Sequence, residues 1–220
     1  MPDLFFASPD LGRFCFSVSL FAVATSASPG PVNLVAASSG ACFGLRRSLA
    51  YVAGASLGFA LLLLALGLGP GLALVRWDGF QTAMRLLGSL FLVYLAWKLA
   101  NLGRPVGTRP DHGDDRSLQS GPATRPPRWV DGLLAQWLNP KAWIVAAAGV
   151  SGYALPGERY TASIVSMSGV FFLICLPSIG AWAGGGQWLG RWLRNPTALR
   201  RFNRLMAATL LLSVLALWSD

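Results

Sequence analysis

Residues 14–42 are apolar enough to enter a bilayer, yet Pro29-Gly30-Pro31 stands in their middle. Hydrocarbon supplies no partner for a freed N–H or C=O. Broken backbone therefore survives at membrane depth only where protein buries it or a wet cavity adjoins it. The conflict recurs at Asn139-Pro140-Lys141, inside the apolar stretch 132–153. A chain with two such breaks must fold so as to shelter both.

The membrane setting follows from composition. Hydrophobic residues make up 54% of the chain and charged residues only 12%, about half the roughly 25% charged share of a soluble domain. That leaves too little polar surface to wrap a soluble core. A span needs about 20 mostly apolar residues. Six stretches meet or approach this: 14–42, 48–68, 83–100, 132–153, 160–183 and 203–218, the first only with its break counted inside it. Gly69-Pro70-Gly71, Pro156-Gly157 and Gly184-Gly185-Gly186 read as the stops of the second, fourth and fifth. The expected fold is an all-α integral membrane protein of six transmembrane helices, the first and fourth interrupted. Trp77, Trp97, Trp129, Trp182 and Trp218 fall near stretch ends, as in an interfacial aromatic belt.

The chain divides into a first half, 1–101, a polar loop, 102–131, and a second half, 132–220. The loop is rich in Pro, Gly, Arg and Asp, lacks periodicity and reads as flexible. His112, the only histidine, lies in it and reads as solvated. Within the second half, Trp188, Leu189, Trp192 and Leu193 share a helical face among Arg191, Arg194, Arg200 and Arg201. This predicts a short interfacial helix at about 187–202. Residues 14–24 have the length of a signal-peptide core, but Asp3 and Asp10 against Arg13 give the preceding segment the wrong charge, so cleavage is not expected.

The net charge is +9, yet the basic residues form no single patch, so a nucleic-acid partner is not expected. They set orientation instead. Thirteen of the eighteen Lys and Arg fall in the odd-numbered connections, four fall on the other side, and Lys141 lies inside the fourth stretch. The odd connections are therefore expected in the cytoplasm, with both termini outside.

Lys141 is the one charge read as lying well inside a span. A lysine at mid-helix costs about 2.5–3.5 kcal/mol on insertion scales. It follows Gly132 by nine residues, about 14 Å along a helix, which leaves snorkelling to the surface strained. Asn139, before a proline, is pushed away from helical geometry, and Pro140 deletes a backbone hydrogen bond. Around the first break, Ser28 precedes the prolines and Asn33 follows them, with Thr25 and Ser26 one turn earlier. The breaks stand in the first span of each three-span half, and three spans per half make the halves run oppositely. The expected architecture is thus two inverted three-helix repeats with a transport site near the midplane. The candidate substrate-binding residues are Ser28, Pro29, Gly30, Pro31, Asn33, Asn139, Pro140 and Lys141. Lys141 would pair a substrate carboxylate, while unwound carbonyls near 28–30 and the Asn33 amide would hold its ammonium.

Four motifs resemble the lysine-exporter (LysE/RhtB-type) family of bacterial amino-acid exporters. They are Ser28-Pro29-Gly30-Pro31, Tyr94-Leu95-Ala96-Trp97-Lys98, Asn139-Pro140-Lys141 and Arg201-Phe202-Asn203-Arg204-Leu205. Their order covers nearly the whole chain. The resemblance implies a multi-pass protein of the bacterial plasma (inner) membrane that exports amino acids or close relatives from the cytoplasm, driven by the proton gradient, without being an enzyme. Many members carry an acidic residue after a glycine in span two; here Gly58 is followed by Phe59, and no Asp or Glu lies inside any span. A cationic substrate such as lysine would want a buried carboxylate, so a neutral zwitterion is the expected solute.

The alternatives are a metal-ion carrier or a thiol-redox carrier of similar span plan. The first needs grouped carboxylate, histidine or thiolate ligands. The second needs paired cysteines, whereas Cys15, Cys42 and Cys175 stand far apart. Neither a cofactor nor a metal is expected, and an enzyme would need an acid–base pair that no span provides. Gly54-Ala55-Ser56-Leu57-Gly58 permits close helix packing within or between chains, which leaves a homo-oligomer open.

Overall fold

The computed structural model describes residues 9–101, 125–193 and 195–218. The expected flexible loop, His112 included, lies outside these for 102–124, as do the chain ends 1–8 and 219–220. The described residues form helices α1 (Pro9–Ala27), α2 (Pro31–Phe43), α3 (Leu45–Leu68), α4 (Gly71–Arg76), α5 (Asp78–Ala100), α6 (Trp129–Trp137), α7 (Pro140–Tyr153), α8 (Tyr160–Trp192) and α9 (Pro196–Leu217), with a 3-10 turn at Gly157–Arg159.

Leu45–Leu68, Asp78–Ala100 and Gly157–Trp192 are each long and apolar enough to cross a membrane. Leu11–Ala27 and Pro31–Phe43 qualify together, as one span bent by 61°. Large apolar side chains on their outer faces stay uncovered: Leu90 is 68% exposed and Leu173 67%. Such faces suit lipid. The protein is a membrane-embedded, multi-pass helical chain.

Both breaks have the same local cause. Pro31 and Pro140 each open the second half of a broken pair at the first helical turn. There the fixed φ suits the helix and the missing N–H costs nothing. The residue before each proline, Gly30 or Asn139, is extended and caps the new helix. What distinguishes these starts from a surface loop is their surroundings: α1 and α2 pack on α8, while α6 and α7 pack on α3.

The glycines at 184–186 do not end the fifth stretch. α8 runs through them to Trp192, 33 residues in all, or about 50 Å. A Cβ at Gly186 would fall 1.9 Å from the Ala37 carbonyl oxygen, and one at Gly40 would fall 1.9 Å from that of Ala183. The two helices thus touch backbone to backbone, and that contact outweighs a helix-propensity cost of about 1 kcal/mol per glycine. For the same reason 187–202 is not a separate interfacial helix. Residues 187–192 complete α8, and α9 starts at Pro196, where Asn195 Oδ1 accepts the Thr197 N–H at 2.9 Å. The predicted apolar face survives as exposed aromatic surface: Trp188 and Trp192 lie 5.9 Å apart, ring to ring.

The pattern Gly54-Ala55-Ser56-Leu57-Gly58 serves contact within the chain. A Cβ at Gly54 would fall 1.8 Å from the Trp129 carbonyl oxygen, and one at Gly132 would fall 2.2 Å from that of Tyr51. These contacts gather toward the end of the bundle where Gly44 joins α2 to α3. The other end, where Pro70 follows α3, is where α4 and the start of α5 lie.

Candidate functional site

The break after α1 strips carbonyls of helical partners, and nearby side chains supply replacements. Ser28 Oγ donates to the Thr25 carbonyl at 2.8 Å. Asn33, only 5% exposed, donates through Nδ2 to the Ser26 and Ser28 carbonyls at 2.7 and 2.9 Å. Trp182 Nε1 crosses from α8 to donate to Ala27 at 3.1 Å. The Asn33 amide nitrogen is thus spent within the break, which leaves its Oδ1 as the atom it can offer a ligand.

The break after α6 is patched with larger donors. Trp143 Nε1 donates to the Trp137 carbonyl at 2.7 Å, and Trp137 Nε1 donates to the Gly58 carbonyl at 3.1 Å. Asn139 Oδ1 accepts the Lys141 N–H at 3.2 Å. On α5, Gly88 leaves room for this break: a Cβ there would fall 2.6 Å from Pro140 Cγ.

The two breaks meet through one side chain. Lys141 Nζ donates to Ser28 Oγ at 2.6 Å and to the Pro29 carbonyl at 3.4 Å. A Cβ on Gly30 would lie 3.3 Å from the same amine, close enough that the amine would have to shift by a few tenths of an ångström. Around it lies a small inner cavity of about 50 Å³. Thr25, Ser28, Asn33, Gln136, Asn139 and Lys141 make its polar wall, and Phe59, Phe171, Cys175 and Ile179 its apolar one. Phe59 and Phe171 pack with ring centroids 4.8 Å apart. A larger outer cavity of about 530 Å³ adjoins it, shares Gly30, Asn139 and Lys141, and adds Pro29, Pro31, Pro140, Arg85 and Trp143. Among the described residues, no Asp or Glu lines either cavity.

All eight sequence-predicted residues therefore come together. Ser28, Gly30, Asn33, Asn139 and Lys141 face the inner space, and Pro29, Pro31 and Pro140 the outer one. Sequence reasoning missed the Phe59–Phe171 wall and Cys175, ordinary apolar residues whose facing partners lie more than a hundred positions apart. It also missed Arg85. The predicted third stretch began at 83 and left Arg85 at its edge, whereas α5 starts at Asp78 and carries Arg85 two turns into the helix. A helical reading extended back to Asp78 would have found it. Among the described residues, no three His, Cys, Asp or Glu side chains are grouped to hold a metal ion, and Cys15, Cys42 and Cys175 are free thiols.

A family model described as LysE type translocator matches residues 23–218. A cysteine/O-acetylserine efflux protein of Klebsiella pneumoniae subsp. pneumoniae is 29% identical, over 76% of this chain and 79% of its own length. A protein of the same description from Escherichia coli (strain K12) is 30% identical, over 80% of this chain and 83% of its own. No solved structure matches.

Proposed function

Given that the chain belongs to the LysE type translocators, we propose that it exports small zwitterionic amino acids from the cytoplasm, holding their carboxylate on Lys141. The observation that carries this is the Lys141 amine, placed across both breaks and met there by the Ser28 hydroxyl and the Pro29 carbonyl. A half-buried cation at membrane depth without a carboxylate partner favours an anionic group brought by the ligand. When a carboxylate takes the amine, Ser28 Oγ and the Pro29 carbonyl are released to accept from the ligand's ammonium. The Asn33 Oδ1 adds a third acceptor. Phe59, Phe171 and Cys175 then border a small side chain. Cysteine and O-acetylserine, the solutes named for the relatives, are zwitterions of this kind.

Six spans in two inverted halves are part of this reading. Support comes from the exchange of partners: the broken pair of each half packs on the middle span of the other, and α5 packs on α9. Oppositely directed halves bring their helix breaks together in this way near a midplane site. The surplus of Lys and Arg in the odd connections supports a cytoplasmic Gly44 end, external termini and insertion in the plasma membrane. Coupling to the proton gradient and assembly into a homo-oligomer also belong to the proposal. The test is to load bacterial cells with dipeptides, with and without the gene, and measure which amino acids leave. Faster exit of one or more small neutral amino acids is expected, and it should vanish with Lys141→Gln at equal protein level. Equal exit of every amino acid tested would overturn the export reading.

A further inference from the structure

We infer that the outer cavity is a second carboxylate station, with Arg85 as its recognising residue. This rests on the export reading. Arg85 is half-buried two turns into α5 and lines the same cavity as Lys141, with Phe80, Trp143 and Ser213 around them. A guanidinium placed within a span is costly and ordinarily marks a solute path. Among the described residues it forms no ion pair, and no Asp or Glu shares its cavity. The space, about 530 Å³, has room for an amino acid together with water.

The two cations differ in what they offer. Lys141 is a compact point charge held between the two breaks. Arg85 presents a planar fork that takes a carboxylate by two parallel bonds. It stands toward the Pro70 end, beyond the breaks as seen from the Gly44 end. A lone binding site retains what it binds, whereas a second site of like preference draws the solute onward. Arg85 thus accepts the carboxylate as it leaves Lys141, and the Phe80 and Trp143 rings flank the solute there.

The test uses the full chain and two readouts. Ser213→Cys places a thiol in the outer cavity. Its labelling, beyond that of the parent chain in detergent, is compared for the anionic ethylsulfonate and the cationic ethyltrimethylammonium methanethiosulfonates. Adding Arg85→Gln is expected to lower the anionic-to-cationic rate ratio about tenfold, and Arg85→Lys to restore most of it. In proteoliposomes, Arg85→Gln is expected to cut the maximal rate of O-acetyl-L-serine movement about tenfold, with Arg85→Lys intermediate. An unchanged labelling ratio overturns the inference, as does a lowered ratio with unchanged transport. If the parent chain moves neither O-acetyl-L-serine nor any other amino acid, the export reading fails and this inference falls with it, whatever the labelling shows. Loss of transport in Lys141→Gln alone, with Arg85→Gln normal in both readouts, leaves the export reading standing and removes only the second station.

Discussion

The two breaks obey one rule and are finished differently. Each ends a helix just before a proline that starts the next. The break after α1 is sealed by short polar side chains from its own neighbourhood, Ser28 and Asn33, with one indole from α8. The break after α6 is sealed by the Trp143 indole on the Trp137 carbonyl and by Asn139 as a cap, while the Trp137 indole ties the break to Gly58 on α3. The first therefore leaves a small gap rimmed by oxygens, and the second is filled by rings and contributes a cation. Acceptors come from one half of the chain and the charge from the other. Under the export proposal a zwitterion takes partners for both its ends only where the halves meet, and either break alone supplies half the site.

This contrast can be broken most sharply at Lys141. Lys141→Ala removes the link between the breaks; truncating one partner of a buried charged pair costs about 2–5 kcal/mol in binding. O-acetyl-L-serine efflux from loaded cells is expected to fall by on the order of 100-fold at unchanged protein level. An efflux rate near the parent's at equal protein level would mean the charge is not what the solute binds.

Asn33→Ala tests how much the first break depends on one amide. Two nearby carbonyls lose their donor, and each buried group left unpaired costs about 1–3 kcal/mol. The thermal midpoint of the purified protein is expected to drop more for this variant than for any other single change in either break; a drop smaller than that of Asn139→Ala would reverse the contrast. Asn139→Ala should do less, since it removes a helix cap worth about 1 kcal/mol, and Asn139→Ser should regain most of that in the same melting experiment. If serine gives no recovery, Asn139 acts by something other than capping.

Much of this was legible along the chain because proline and charge are local signals. Pro31 and Pro140 mark helix starts whatever surrounds them, and a lysine inside an apolar stretch stands out against its neighbours. Glycine is read less easily. Gly184-Gly185-Gly186 has the composition of a stop, and Gly186 became a contact because the Ala37 backbone lies against it. Arg85 was obscured by a helix start at Asp78 that the apolar pattern placed later. Phe59 and Phe171 carry no mark that sets them apart from other core aromatics.

The sequence by itself determined where the backbone breaks, which residue types stand there and that the setting is a bilayer, since these depend on a proline ring, on single charges and on summed hydrophobicity. Only the tertiary structure decided that the breaks touch, that Lys141 spends its hydrogen bonds on Ser28 and Pro29, and that Arg85 shares its cavity. Helices far apart along the chain set those distances through the close approach that their glycines permit, and no local pattern encodes which backbone will come to lie against which.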